Sequence, residues 1–149
     1  MCGIAGYFNP DQNYAENPKQ NFHTLSRMIN TMNHRGPDTY GHTIINSCCL
    51  AHTRLSIIDL ENGRQPMSYT KDGNTYYIVY NGEIYNYKEV KKTLLRKNYT
   101  FETNSDTEVI IAAFCHYGPG FVKELNGIFA IAIYDSCLLY TSDAADEAR

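Results

Sequence analysis

Apolar and polar positions along this chain switch between two periods, and the switches mark its elements. Ile4 to Phe8 is a short apolar run that starts almost at the terminus and reads as a buried strand. Pro10 to Lys19 is polar, rich in Asn and interrupted by prolines, so it reads as a surface loop. Phe22, Leu25, Met28, Ile29 and Met32 then recur at helical spacing. A loop follows at His34-Arg35-Gly36-Pro37-Asp38, where the proline fixes a turn and Asp38 can cap or pair with Arg35. From Gly41 to Ile58, β-branched and apolar residues suggest two strands around Ser47.

Asp72-Gly73 is a hairpin turn signal leading into a strand from Thr75 to Tyr80, which the pattern ends at Asn81-Gly82. A helix is predicted from Tyr87 to Lys97, with Val90, Leu94 and Leu95 facing inward. Ser105 followed by Glu108 makes a capping box for another helix, which closes near Gly118. Gly127 to Tyr134 is an almost continuous apolar run, the signature of a strand covered on both faces. There is no internal repeat or low-complexity tract. Strands mixed with two or three helices predict a layered α/β architecture, whose topology the pattern alone does not choose.

A length of 149 residues suits one domain. The net charge of −3, without a basic run, argues against nucleic acid and leaves a small molecule or a protein as partner. No apolar stretch is long enough to span a membrane, and the N-terminus shows no basic leader before an apolar core. A cytoplasmic, membrane-free protein is the expectation. The five cysteines, Cys2, Cys48, Cys49, Cys115 and Cys137, have irregular spacing and no CxxC pair. That speaks against a zinc site and against a disulfide framework. No metal ligand is assigned, and Cys48, Cys49 and Cys115 read as apolar filler.

Cys2 stands apart because removal of Met1 would make it the terminal residue. Its thiol would then lie beside its own α-amine, which titrates near ~8 and can act as a general base. A terminal nucleophile can thus carry its own base, and Gly3 and Gly6 permit close backbone approach. Taken alone, Met-Cys-Gly is equally a trivial start with a buried thiol. Asn81-Gly82-Glu83 could supply an Asn amide and a glycine N–H to a developing oxyanion, or could simply end a strand. Arg54 and Asp106 carry the charges a free amino acid requires, a planar fork for its carboxylate and a carboxylate for its ammonium. Asp106 could equally just favour a helix N-terminus. His34 and His52 are weighed as bases, with a satisfied structural histidine as the simpler reading.

Jointly, these features fall in one order: Met1-Cys2-Gly3-Ile4-Ala5-Gly6, His34-Arg35-Gly36-Pro37-Asp38, Arg54-Leu55-Ser56-Ile57-Ile58-Asp59, Gln65-Pro66-Met67, Tyr80-Asn81-Gly82-Glu83-Ile84-Tyr85-Asn86 and Ser105-Asp106-Thr107-Glu108. In that order they closely resemble the glutaminase domain, a class II glutamine amidotransferase, of glutamine-hydrolysing asparagine synthetases. The His-Arg-Gly-Pro-Asp form resembles those enzymes more than glucosamine-phosphate synthases or the purine amidotransferase. The resemblance implies an α+β class fold, a four-layer αββα N-terminal-nucleophile hydrolase sandwich. It implies that Cys2 attacks the glutamine side-chain amide, with Asn81 and Gly82 as the oxyanion hole. Arg54 would clamp the substrate carboxylate and Asp106 would meet the α-ammonium. Leu55, Ser56, Ile57, Ile58 and Glu83 would line the pocket. It implies further that ammonia passes to a C-terminal synthetase domain, which uses MgATP to make asparagine from aspartate. No cofactor is expected in the present chain.

The match runs from Met1 to about Asp135, so residues 1–135 read as a partial amidotransferase type 2 domain and the sandwich as incomplete. Residues 136–149 read as a non-native tail, because Cys137 to Glu147 translates a string that resembles the transposase adapter used for sequencing libraries, with a natural polar tail as the alternative. Two other readings are an asparagine-synthetase-like amidotransferase of a polysaccharide or natural-product pathway, and an inert truncated chain. A homodimer of the longer protein stays open.

Overall fold

The computed structural model describes residues 2–54 and 63–137. The first sheet has the order β1-β3-β2, from β1 (Gly3–Phe8), β2 (Thr39–Ile45) and β3 (Cys48–Arg54). Both pairings are antiparallel, with Gly3 opposite Thr53 and Thr39 opposite Arg54. β2 and β3 form a hairpin about Asn46-Ser47, as the pattern around Ser47 predicts. The central strand β3 is buried throughout.

The helix α1 (Pro18–Thr31) covers the outer face of this sheet, and Pro18 stands in its first turn, where its missing N–H costs nothing. Leu25 and Ile29, one turn apart, pack on Cys49 and Ala51. The polar loop before α1 is not structureless, since Tyr14–Glu16 forms a 3-10 turn capped by the Asn13 side chain. Phe22 stays partly exposed and lies 4.6 Å from the ring of His42.

The second sheet has the order β4-β5-β6, from β4 (Met67–Lys71), β5 (Asn74–Ile84) and β6 (Gly127–Asp135). β4 and β5 are joined at Asp72-Gly73, whose φ values of 51° and 83° are those of the tight hairpin turn the dipeptide favours. α2 (Tyr87–Leu95) and α3 (Asp106–Tyr117) cover the outer face of this sheet. Ile78, Tyr80 and Ile84 of β5 pack there with Val90, Leu94 and the Val109–Ala113 stretch. The opposite face of β5 presents Val79 to Cys48 and Leu50 of β3, which joins the two sheets. The order of layers is therefore α1, first sheet, second sheet, α2 with α3, the αββα arrangement.

Three expectations are corrected. β5 does not stop at Asn81-Gly82. It continues to Ile84 because Asn81, Gly82 and Glu83 keep pairing with Ala130, Phe129 and Ile128 of β6. Leu95 is 52% exposed, since a residue next to the buried Leu94 is rotated about 100° away from the core. β6 stands at a sheet edge among the described residues and is half-buried along most of its length, with Ile128 74% exposed; the apolar run alone suggests cover on both faces, whereas the incomplete sandwich predicts this partial exposure. The proposed tail beyond Cys137 lies outside the described residues.

Candidate active site

The nucleophile candidate is placed by the first strand pairing. Gly3 opposes Thr53, so the register carried back one residue sets Cys2 opposite Arg54. Period-two alternation puts both on the face of the first sheet that carries Ile4, Leu50 and Cys48, the face turned to the second sheet. Cys2 is half-buried. Its carbonyl accepts a 3.1 Å hydrogen bond from Nε of Arg35. Gly3 lies close under α1, where an added Cβ would come 2.8 Å from Thr53 Oγ1 and 3.1 Å from the Met32 sulfur.

The loop at 34–38 is tied to the end of β3. Asp38 N–H donates to the Arg54 carbonyl at 3.1 Å, and Pro37 bridges to Arg54 in parallel sense. Gly36 is required there, because a Cβ would stand 2.6 Å from Arg54 N. Arg54 itself is only 8% exposed. Its neighbour His52 is 2% exposed, and burial, helped by the Arg54 charge, lowers its pKa from 6.5 to about 4 against a hydrogen bond with the backbone of Tyr80. That makes His52 a neutral residue at pH 7. Among the described residues its Nε2 and the Thr53 hydroxyl find no hydrogen-bond partner, so the structural-histidine reading is met there by the Tyr80 contact alone.

The contact of His52 with Tyr80 fixes which parts of the two sheets face each other. The end of β3 that carries Arg54 lies over the stretch of β5 that carries Asn81 and Gly82. Asn81 shares the inward face of β5 with Val79. Gly82 has φ of 155°, and a Cβ there would collide with the Ile128 carbonyl, so this bend in β5 needs glycine. Cys2, Arg54, Asn81 and Gly82 thus collect at one end of the gap between the sheets. An apolar groove of about 770 Å³ between β1 and β6 lies elsewhere, against Leu50, Val79 and Ala132, and touches none of them.

Asp106 is the first residue of α3 and connects to the same stretch from the other face of β5. The Tyr80 hydroxyl donates to Asp106 Oδ2 at 2.8 Å. Capping falls to its neighbours. Ser105 caps the helix as predicted, but its Oγ accepts from Thr107 N–H rather than from Glu108 N–H, so the reciprocal capping box is not formed. The Glu108 carboxylate departs from that motif, accepting from the N–H groups of Glu102 and Thr103 and from the Thr103 hydroxyl. Glu83 is exposed, opposite Ile128. Leu55, Ser56, Ile57 and Ile58 lie outside the described residues.

Sequence reading missed the contacts of three polar residues around the site. Gln65 Oε1 accepts from Tyr80 N–H at 2.6 Å while its Nε2 donates to Thr107 Oγ1 at 3.2 Å. Asn86 holds the entry to β6, accepting from Asn126 N–H and donating to the Glu124 carbonyl. Arg35 reaches Cys2. Each belongs to a quoted motif, and each partner is distant in sequence, so no local pattern could name it. None of the five cysteines is in a disulfide. Among the described residues no group of three or more His, Cys, Asp or Glu is placed to hold a metal, and no helix is long and apolar enough to cross a membrane.

An αββα sandwich with a cysteine leading its first strand is the frame of the N-terminal-nucleophile amidotransferases. A solved glutamine phosphoribosylpyrophosphate amidotransferase from Bacillus subtilis superimposes with a TM-score of 0.51 at 20% identity, over 62% of this chain and 22% of that one. The profile of the glutamine amidotransferase domain family matches residues 1–140, and the chain belongs to that family. It is 39% identical over 135 residues to asparagine synthetase [glutamine-hydrolyzing] 3 of Bacillus subtilis, covering 91% of this chain and 21% of that enzyme. It is 36% identical over 143 residues to the amidase chyE of Penicillium rubens, covering 91% of this chain and 21% of that protein. The chain thus spans about a fifth of the length of these relatives.

Proposed function

We propose that this chain carries the glutaminase half of an asparagine synthetase, hydrolysing glutamine to glutamate and ammonia. The observation that carries the reading is the meeting of Cys2, Arg54 and Asn81-Gly82 at one end of the inter-sheet gap, on strands far apart in sequence. With Met1 removed, the α-amine of Cys2 takes the thiol proton, directly or through a water. The sulfur adds to the amide carbon of glutamine, and the oxyanion is held by the Asn81 amide and the Gly82 N–H. Return of a proton to the amide nitrogen expels ammonia and leaves a glutamyl thioester. Water then adds to the thioester, releasing glutamate and restoring the thiol. Arg54 clamps the substrate α-carboxylate as a planar fork, and Asp106 receives the α-ammonium. Glu83 and residues 55–58 complete the pocket.

In the longer protein the ammonia is consumed by a synthetase domain that activates aspartate with MgATP, and the setting is cytoplasmic. MgATP would be held outside this chain, and no step of glutamine hydrolysis here uses it. The similarity to the Penicillium amidase favours a second reading, the same glutaminase serving a natural-product acceptor. Ammonia release from L-glutamine tests the shared chemistry. Weak release is expected for the unsubstituted chain, whose sandwich is incomplete, and none for Cys2→Ala; equal release by both would overturn it.

A further inference from the structure

We infer that Tyr80 is a positioning residue for Asp106, its phenol fixing the carboxylate that receives the α-ammonium of glutamine. The inference rests on the glutaminase reading and names what sets the pocket's selectivity for a free amino acid. Ser105, Asp106, Thr107 and Glu108 at the start of α3 all bear side-chain acceptors; Thr107 Oγ1 accepts from Gln65, and two of the others serve the backbone. Ser105 caps Thr107 N–H, and Glu108 closes the preceding loop with three hydrogen bonds. Asp106 caps no N–H among the described residues. Its Oδ2 accepts the Tyr80 hydroxyl at 2.8 Å, and its Oδ1 makes no hydrogen bond among the described residues.

Tyr80 is itself held rigidly. It is 4% exposed within the core under α3, and its N–H donates to Gln65 Oε1 at 2.6 Å. Gln65 also donates to Thr107 Oγ1 at 3.2 Å, so the same amide grips the residue following Asp106. Burial first, and the Asp106 charge second, push the Tyr80 pKa well up, so the phenol remains a donor at every working pH. A carboxylate at the first position of a helix is otherwise free to rotate among staggered rotamers. Fixing one oxygen with a buried donor leaves the other as an acceptor for a cation, and lowers the cost of ordering that side chain on binding.

The test measures calorimetric dissociation constants in a Cys2→Ala background, which prevents turnover. The ligands are L-glutamine and glutaramate, its analogue without the α-amine. Tyr80→Phe is expected to weaken L-glutamine about tenfold, to leave glutaramate unchanged, and to add nothing once Asp106→Asn is present. Equal weakening of both ligands, no weakening of either, or full multiplication with Asp106→Asn overturns the inference. Thermal unfolding checks that the variant folds, and Tyr80→Met, which fills the space without a hydroxyl, repeats the test if it does not. Should Asp106→Asn weaken both ligands alike, Asp106 is not the ammonium partner, and the inference falls with that assignment. Should the parent chain bind neither ligand, the glutamine-pocket reading fails first.

Discussion

Arg35 donates a 3.1 Å hydrogen bond from Nε to the main-chain carbonyl of Cys2, linking the loop after α1 to the first residue of the fold. Removal of Met1, which the proposed reaction requires, would leave Cys2 with chain on one side only, and the Arg35 contact then restrains its backbone. Hydrogen bonds from charged donors contribute about 1.5–3 kcal/mol, so Arg35→Ala should lower glutaminase kcat/KM by about 10-fold to 100-fold. Steady-state ammonia release checks this. Arg35→Ala with unchanged kcat/KM would mean that Cys2 is held by other contacts.

Gly82 predicts a stability effect. Its φ of 155° and the Ile128 carbonyl facing it leave no room for a side chain. Gly82→Ala should destabilise the domain by about 2 kcal/mol or more, read as a lower Tm and denaturant midpoint. A midpoint equal to that of the parent would show that β5 and β6 adjust without strain.

His52 predicts a pH dependence. Its folded pKa is lowered from 6.5 to about 4, chiefly by burial. Between those values the unfolded chain binds a proton there that the folded chain does not. The stability contribution is therefore complete above pH 6.5 and is lost as pH falls toward 4. Chemical denaturation at pH 7 and pH 4.5 should show a smaller loss for His52→Gln than for the parent. Identical losses would remove His52 as the cause.

The cysteines predict a pattern of modification. Burial pushes the Cys48 and Cys115 thiols up to about 12, and Cys49 is raised as well. Thiolates are the reactive form, so brief iodoacetamide treatment at pH 7.5 should label Cys2 and the exposed Cys137 while sparing these three. Peptide mass mapping reads the result. Early labelling of Cys48 or Cys49 would mean that β3 opens readily.

Much of this fold was legible in sequence because its signals are local. The apolar spacing of Leu25 and Ile29, the Asp72-Gly73 turn and the Ser105 cap each act within a few residues, and each appears where the pattern sets it. What was not legible depends on pairing. Asn81-Gly82 reads as a strand end, yet β6 carries the pairing through it. Gly127 to Tyr134 reads as doubly covered, because an apolar run does not reveal that its strand is an edge among the described residues. At the site, residue types suggested Cys2, Arg54, Asn81 and Asp106. Their convergence depends on β3 lying over β5, and the pattern places Tyr80 only at the end of a strand, with no local signal that its hydroxyl reaches Asp106.

Intact mass of the purified chain, before and after a glutamine-analogue diazoketone that alkylates the nucleophile, tests the central claim most directly. The terminal-nucleophile reading predicts a parent mass lacking Met1 and a single stoichiometric adduct that disappears in Cys2→Ala. A processed chain that takes up no adduct, or an adduct that persists in Cys2→Ala, would contradict a formed glutamine pocket built around Cys2.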